Sequence, residues 1–258
     1  MNKTLASLFF ALSLITVGRS QNLIINGDFS ATNSGFSSGY SYVASGSGAN
    51  VGLYGVRTNS LSFNSGYTSF KDHTSGNGLM MLLDGSTTTT VAWSETINIS
   101  TNTDYTFSGW ATSSDPLNPA TLQFKVNGIQ LGGGFPLTTN VVWTNFSNVW
   151  FSGTNQQATL AIYDINANYI NAQGGGGDDF ALDDLSFGVL YPTLLINSAN
   201  TNVVLTWPTN AIGFTLQSTT NLAPAVWNPV SPAPVIVNTN NVVTNAISGT
   251  QMFYQLSH

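Results

Sequence analysis

Four aspartates, Asp178, Asp179, Asp183 and Asp184, stand in GGGGDDFALDDLSF, the stretch from Gly174 to Phe187, with no Lys or Arg beside them. Carboxylates at that density repel one another and favour a bound cation. An oxygen-only ligand set suits Ca²⁺, which takes about six to eight oxygens from carboxylates and carbonyls. The competing reading is a Gly-rich turn that displays solvated acids. The apolar run Phe180-Ala181-Leu182 favours the metal, because it holds the flanking acids on an ordered strand.

Other site chemistries find less material. Past the first residues the chain has two histidines, His73 and His258, and no Cys, so a thiol-imidazole pair is excluded and a Ser-His-Asp triad is left with His73 alone. Asp72 is its neighbour in sequence, but adjacent turn residues seldom orient one another as a triad requires, and His73 is expected to bond to local backbone. Glycoside hydrolysis needs two carboxyls across the scissile bond. The single glutamate is Glu95, and no spacing among the aspartates selects a partner for it. Zinc prefers nitrogen and sulfur ligands that are scarce here. The run Gly174 to Gly177 lacks the following Lys of a phosphate-binding loop and precedes a strand instead of a helix.

Aromatic side chains supply the other lead, since sugars stack their CH faces on Trp or Tyr rings while amides and hydroxyls bond the sugar hydroxyls. In Tyr105 to Thr112, alternation places Tyr105, Phe107 and Gly109 on one face and Thr106, Ser108, Trp110 and Thr112 on the other. Gln123 and Lys125 oppose Leu122, Phe124 and Val126 in the same way, and Tyr163 opposes Leu160 and Ile162. If these strands pair, Trp110, Gln123, Lys125 and Tyr163 line one groove. The bland alternative is that Trp110 covers its sheet beneath a loop. The loop tyrosines Tyr40, Tyr42 and Tyr54 form a second candidate site, whereas Trp143 and Trp150 are assigned to the core.

The elements that must position these groups are strands. YTFSGWAT (Tyr105 to Thr112), TLQFKV (Thr121 to Val126), ATLAIYDI (Ala158 to Ile165) and FALDDLSF (Phe180 to Phe187) alternate in twos, with Asn127-Gly128, Ser152-Gly153 and Gly132 to Gly134 as turns between them. No segment carries a sustained helical stripe. The expected fold is all-β, an antiparallel jelly-roll β-sandwich followed by a small β-sandwich domain. The boundary falls near Val189 to Pro192: beyond Asp184 there is no charged Asp, Glu, Lys or Arg, and six of the nine prolines follow. Units of 21–189 and 190–258 result.

Lys3, the apolar Leu5 to Val17 and the small-residue site Gly18-Arg19-Ser20 read as an export signal, too short in its apolar core to span a bilayer. Its removal leaves three basic residues against eleven acidic ones. Nucleic acid and anionic membranes, which are bound through clustered Lys and Arg, are thereby disfavoured as partners. Charged residues are 6% of the chain and hydrophobic residues 42%, which excludes charge-driven disorder and leaves amides and hydroxyls to build the polar surface.

NLIINGDFS (Asn22 to Ser30), DHTSGNGLMMLLDGS (Asp72 to Ser86), the pair Trp143 and Trp150, and the closing DDFALDDLSF together resemble the galactose-binding-like jelly roll shared by many carbohydrate-binding modules. The resemblance covers about Asn22 to Phe187. It implies a structural Ca²⁺ where the first and last strands approach, with Asp28 and one of Asp183 or Asp184 as ligands and carbonyls from Ser45 to Gly48 as further donors. Related chains often read Gly-Asn-Asp-Phe where this one has Gly177-Asp178-Asp179-Phe180, so Asp178 is an additional carboxylate. From Pro192 onward, Trp207-Pro208, GFTLQSTTNL (Gly213 to Leu222), Trp227 and FYQL (Phe253 to Leu256) are similar to a short C-terminal β-module of exported Gram-negative proteins, a reduced fibronectin-type sandwich.

The expected protein is exported, calcium-stabilised and non-catalytic, secreted or held at the cell surface, with a neutral polysaccharide or surface glycan as its partner. A structural or adhesive surface protein without a small ligand is the first alternative, and a glycan-cleaving enzyme the second.

Overall fold

A computed structural model describes residues 21–114, 118–139, 141–166, 177–209, 211, 213–249 and 251–257. The proposed export signal, His258 and the glycines before Gly177 lie outside the described residues. The chain divides into two compact units between Leu190 and Tyr191, beside the composition break at Val189 to Pro192.

The first unit contains β1 (Ser41–Tyr42), β2 (Leu53–Arg57), a 3-10 turn at Ser60–Ser62, β3 (Met80–Asp84), β4 (Thr90–Asn98), β5 (Asp104–Ser113), β6 (Thr121–Val126), β7 (Ile129–Gln130), β8 (Phe135–Pro136), β9 (Thr144–Phe151), β10 (Gln157–Asp164) and β11 (Phe180–Val189). One sheet has the order β1-β2-β3-β11-β5-β9; the other runs β4-β10-β6-β7, with β8 also on β6. Neighbours far apart in sequence, β3 beside β11 and β4 beside β10, give the jelly-roll sandwich. The pairing is antiparallel throughout the described residues except between β1 and β2, which run parallel.

Alternation in twos explains why these residues make two packed sheets. Tyr105, Phe107 and Ala111 of β5, Leu122, Phe124 and Val126 of β6, and Leu160 and Ile162 of β10 point inward and are buried in one core. Phe107 lies at the centre of its aromatic packing: its ring meets Trp93, Phe124, Phe146 and Phe187. A second, smaller cluster of Phe63, Tyr67, Met80, Leu82 and Ala181 covers the other face of the six-stranded sheet, so β3 is buried on both faces and reads as the continuous apolar run Met80 to Leu83. Trp150 belongs to the main core as expected. Trp143 does not; it packs beside the second cluster, with its indole N–H donating to the Lys71 carbonyl.

The second unit consists of β12 (Leu195–Ala199), β13 (Asn202–Pro208), β14 (Thr215–Thr219), β15 (Asn228–Pro229), β16 (Val235–Val237), β17 (Asn240–Ala246) and β18 (Phe253–Ser257). Its sheets are β12-β13-β17-β16 and β15-β14-β18. They enclose a small core of Leu205, Trp207, Leu216 and Val243. No described helix is long and apolar enough to cross a membrane.

Each unit has a core of its own, as folding alone requires. A chain ending at Leu190 should therefore unfold in a single cooperative transition close to that of the full protein. Loss of that transition on truncation would show that Tyr191 onward supplies core to the first unit.

Candidate functional site

The sheet pairing separates the aromatic residues that alternation alone had grouped. Gln123 and Lys125 of β6 and Tyr163 of β10 share the outer face of the five-stranded sheet. Tyr163 stands directly opposite Gln123, and the Lys125 ammonium lies 4.3 Å from the centre of the Tyr163 ring. Trp110 belongs to β5, in the other sheet, between Asp183 of β11 and Asn145 of β9. The four-residue groove is thus corrected to a three-residue platform, because β5 and β6 lie in different sheets.

Around that platform the outer face is built of small polar groups. Thr159 of β10 faces Thr96 of β4 with their hydroxyls 3.0 Å apart, and Gln157 donates to Asn98 at 3.0 Å. Gln130 of β7 lies opposite Lys125. At the far end of β4 and β10, Asn98, Ser100, Thr101, Asn155 and Gln157 line a shallow open depression of the same amide and hydroxyl character. Lys125 is held by cation–π attraction to the Tyr163 face, which orients both side chains without burying them.

Trp110 is capped. The His73 ring stacks on it with centroids 3.8 Å apart and planes at 17°. His73 Nδ1 lies 2.7 Å from Asp184 Oδ2, its backbone N–H donates to Asp183 Oδ2 at 2.9 Å, and Thr74 Oγ1 also bonds Asp184 Oδ2. Asp72 accepts from Ser75 and Gly78 and leaves His73 alone. The imidazole is therefore bonded to a distant carboxylate and not to local backbone, as its turn position had implied. The partners are 111 residues apart, so no local pattern announces them.

The calcium candidates lie in two surroundings. Asp183 and Asp184 pin the loop from Asp72 to Gly78 onto β5 and β11, and Asp184 adopts a positive φ of 48° at the bulge where β11 slips against β5. Burial pushes the Asp183 carboxyl up to about 7. Asp28 is exposed and accepts from the backbone N–H and hydroxyl of Ser30. The backbones do approach as the resemblance implies: Leu185 N–H donates to the Gly27 carbonyl and Leu23 N–H to that of Phe187. Gly27 permits this closeness, since a Cβ there would sit 2.0 Å from the Leu185 carbonyl oxygen. Gly48, at the end of the carbonyl segment, packs against the Phe63 ring. Among the described residues no three His, Asp or Glu side chains converge on a common point.

The second expected site loses Tyr40. That residue is 4% exposed, and its hydroxyl donates to Asp164 Oδ2 at 3.0 Å. Its phenol is far too deeply buried to ionise in ordinary solution. Tyr42 remains accessible at 37% exposure, with its ring tilted against Tyr54 at 5.2 Å. Glu95 is likewise withdrawn: it is buried, raised by desolvation, and accepts from the Ile25 N–H.

No family model and no curated protein matches the chain. Among solved structures it is similar to the CBM22-1–CBM22-2 tandem domain of Paenibacillus barcinonensis Xyn10C, at 10% identity over 92% of this chain and 84% of that one, with a TM-score of 0.45. It is similar also to TmCBM61 in complex with β-1,4-galactotriose, at 12% identity over 66% of this chain and all of that one (TM-score 0.44). A third similarity is to the enzymatically active domain of bacteriophage CBA120 tailspike protein 4, at 13% identity over 66% of this chain and 21% of that one (TM-score 0.40). The chain spans about a fifth of that tailspike domain. The neighbours thus include carbohydrate-binding modules, and likeness at this level carries no conclusion about this chain.

Proposed function

We propose that the first unit of this chain is an exported, non-catalytic module that binds a neutral polysaccharide on the outer face of its five-stranded sheet. The observation that carries the reading is the Tyr163 platform: a partly exposed ring with the Gln123 amide opposite and the Lys125 ammonium beside it, on a face of threonine, asparagine and glutamine. A ring of this kind takes the CH face of a sugar, and the amides bond its hydroxyls. Lys125 is the one basic residue on that platform, which offers little to hold a polyanion, and the excess of acid over base repels one at long range. Affinity electrophoresis of the protein through gels of neutral and acidic polysaccharides tests this. Retardation by a neutral polymer is expected. Retardation by acidic polymers alone would overturn the ligand class, and none by any polymer would favour the structural or adhesive role.

Calcium enters this reading as a stabiliser with no part in sugar binding. Its support is the Asp28 turn held by backbone bonds against the strand that carries Asp183 and Asp184; a common shell requires those carboxylates to turn from their present partners. A ligand that binds only the folded state stabilises it by roughly 2.7 kcal/mol at a hundredfold excess over its dissociation constant. Chelation should then lower the melting temperature. An unchanged melting curve in chelator, with no metal found by elemental analysis, removes calcium from the reading.

A further inference from the structure

The three-stranded sheet of the second unit has an outer face built of the same kinds of group as the Tyr163 platform. In β14 the core takes Leu216, so Gln217 and then Thr219, by alternation, turn away from it. In β18 the core takes Tyr254 and Leu256, which turns Phe253 and Gln255 outward. Val230 also packs on that core, and Pro229 before it therefore faces out. Pairing sets these outward residues in rows across the sheet. Pro229, Gln217 and Gln255 form one row. Asn228 stands opposite Ser218, and the same register continued by one residue brings Trp227 beside Thr219, which is itself opposite Phe253.

Two aromatic rings and two amides thus share one face. Trp227 and Phe253 are partly buried, and Thr219, between them in register, is 6% exposed. Gln255 Nε2 donates to Gln217 Oε1 at 3.0 Å. That bond orients both amides and leaves the pair a further donor, the Gln217 NH₂, and a further acceptor, the Gln255 carbonyl oxygen. Neighbouring hydroxyls of a sugar, each both donor and acceptor, match such a pair, while the CH face of the ring stacks on an aromatic side chain.

Charge narrows the class of ligand. No Asp, Glu, Lys or Arg follows Asp184, so the second unit has no such side chain with which to pair a charged partner, and the eleven acids that precede it repel polyanions at long range. A second protein sheet laid on this face would strip water from the amide pair and have to replace each lost hydrogen bond, at a cost for every group left unmatched. A sugar brings hydroxyls in place of that water. We propose that the outer face of β15, β14 and β18 is a second binding site for a neutral carbohydrate, with Trp227 and Phe253 as its stacking rings and the Gln217–Gln255 pair bonding the sugar hydroxyls. This site is independent of the Tyr163 platform in the first unit.

The test uses the full chain and follows its indole N–H signals by NMR as cellohexaose, xylohexaose or mannohexaose is added, with polygalacturonate as the charged control. Trp227→Phe identifies the Trp227 signal by its loss. That signal should move saturably with at least one neutral hexaose, and should move to the same extent in Tyr163→Ala, where the platform of the first unit is removed. Gln217→Ala should weaken the response by about fivefold, as loss of a hydrogen-bonding side chain does. Should Gln217→Ala fail to fold, the parent and Tyr163→Ala decide between them. A Trp227 signal that no neutral hexaose moves overturns the proposal, whether or not signals of the first unit respond. Movement that disappears in Tyr163→Ala overturns it too, because the sugar would then be bound by the first unit. Movement with polygalacturonate alone overturns the ligand class. A signal that shifts with protein concentration in the absence of sugar, together with a mass above the monomer in sedimentation, gives the face to a second copy of the chain instead.

Discussion

Replacing Tyr163 by alanine is expected to weaken binding to a neutral polysaccharide by about 1–2 kcal/mol, roughly five- to thirtyfold, as loss of a stacked aromatic anchor does. The ring is the one aromatic group on the outer platform of β6 and β10, and its removal also frees Lys125 from the contact that orients it. Gln123→Ala should cost less, since it deletes hydrogen bonds that water replaces in part. Trp110→Ala should leave binding unchanged, because Trp110 lies in the other sheet beneath the His73 ring. Dissociation constants from titration calorimetry at low and high salt check the set, and little salt dependence is expected for a neutral ligand. A loss with Tyr42→Ala and none with Tyr163→Ala would move the site to the loop end beside Tyr54.

Phe107→Ala should cost the first unit about 3–5 kcal/mol of stability. The ring is fully buried and touches aromatic side chains from both sheets: Trp93 and Phe124 on one side, Phe146 and Phe187 on the other. Phe124 and Phe146 are themselves stacked, so they cannot close the gap without giving up that contact. Against a total of about 5–15 kcal/mol for a domain, a cavity of this size takes a large share. Denaturant unfolding of the chain ending at Leu190 measures it free of any contribution from the second unit. A change below about 1 kcal/mol would mean that the core around Phe107 is loosely packed and collapses.

Several features were legible because they depend on period and composition alone. The inward rows of β5, β6 and β10 follow from strict alternation, and the division between Leu190 and Tyr191 follows from the abrupt end of charged residues and the start of a proline-rich stretch. The same rule placed Gln123 and Lys125 of β6 and Tyr163 of β10 on outward-facing positions. What misled was Trp110: alternation says which face of its own strand a residue takes, and the sheet to which that strand belongs depends on long-range pairing. Tyr40 failed for a related reason. Its loop position reads as exposed, and only the arrival of Asp164 from 124 residues away gives its hydroxyl a buried partner.

The sequence by itself determined the composition break near Val189 to Pro192, which side chains face inward along each strand, and that acid outnumbers base in the first unit while the second carries no Asp, Glu, Lys or Arg. These are local properties, fixed by the two-residue repeat of the strand and by residue type. Only the tertiary structure decided which strands became neighbours, and with that the chemistry: Tyr163 beside Lys125, and His73 on Trp110 and Asp184. Such contacts join residues tens to more than a hundred positions apart. They are selected by the packing of two sheets into one core, which no short window of sequence contains.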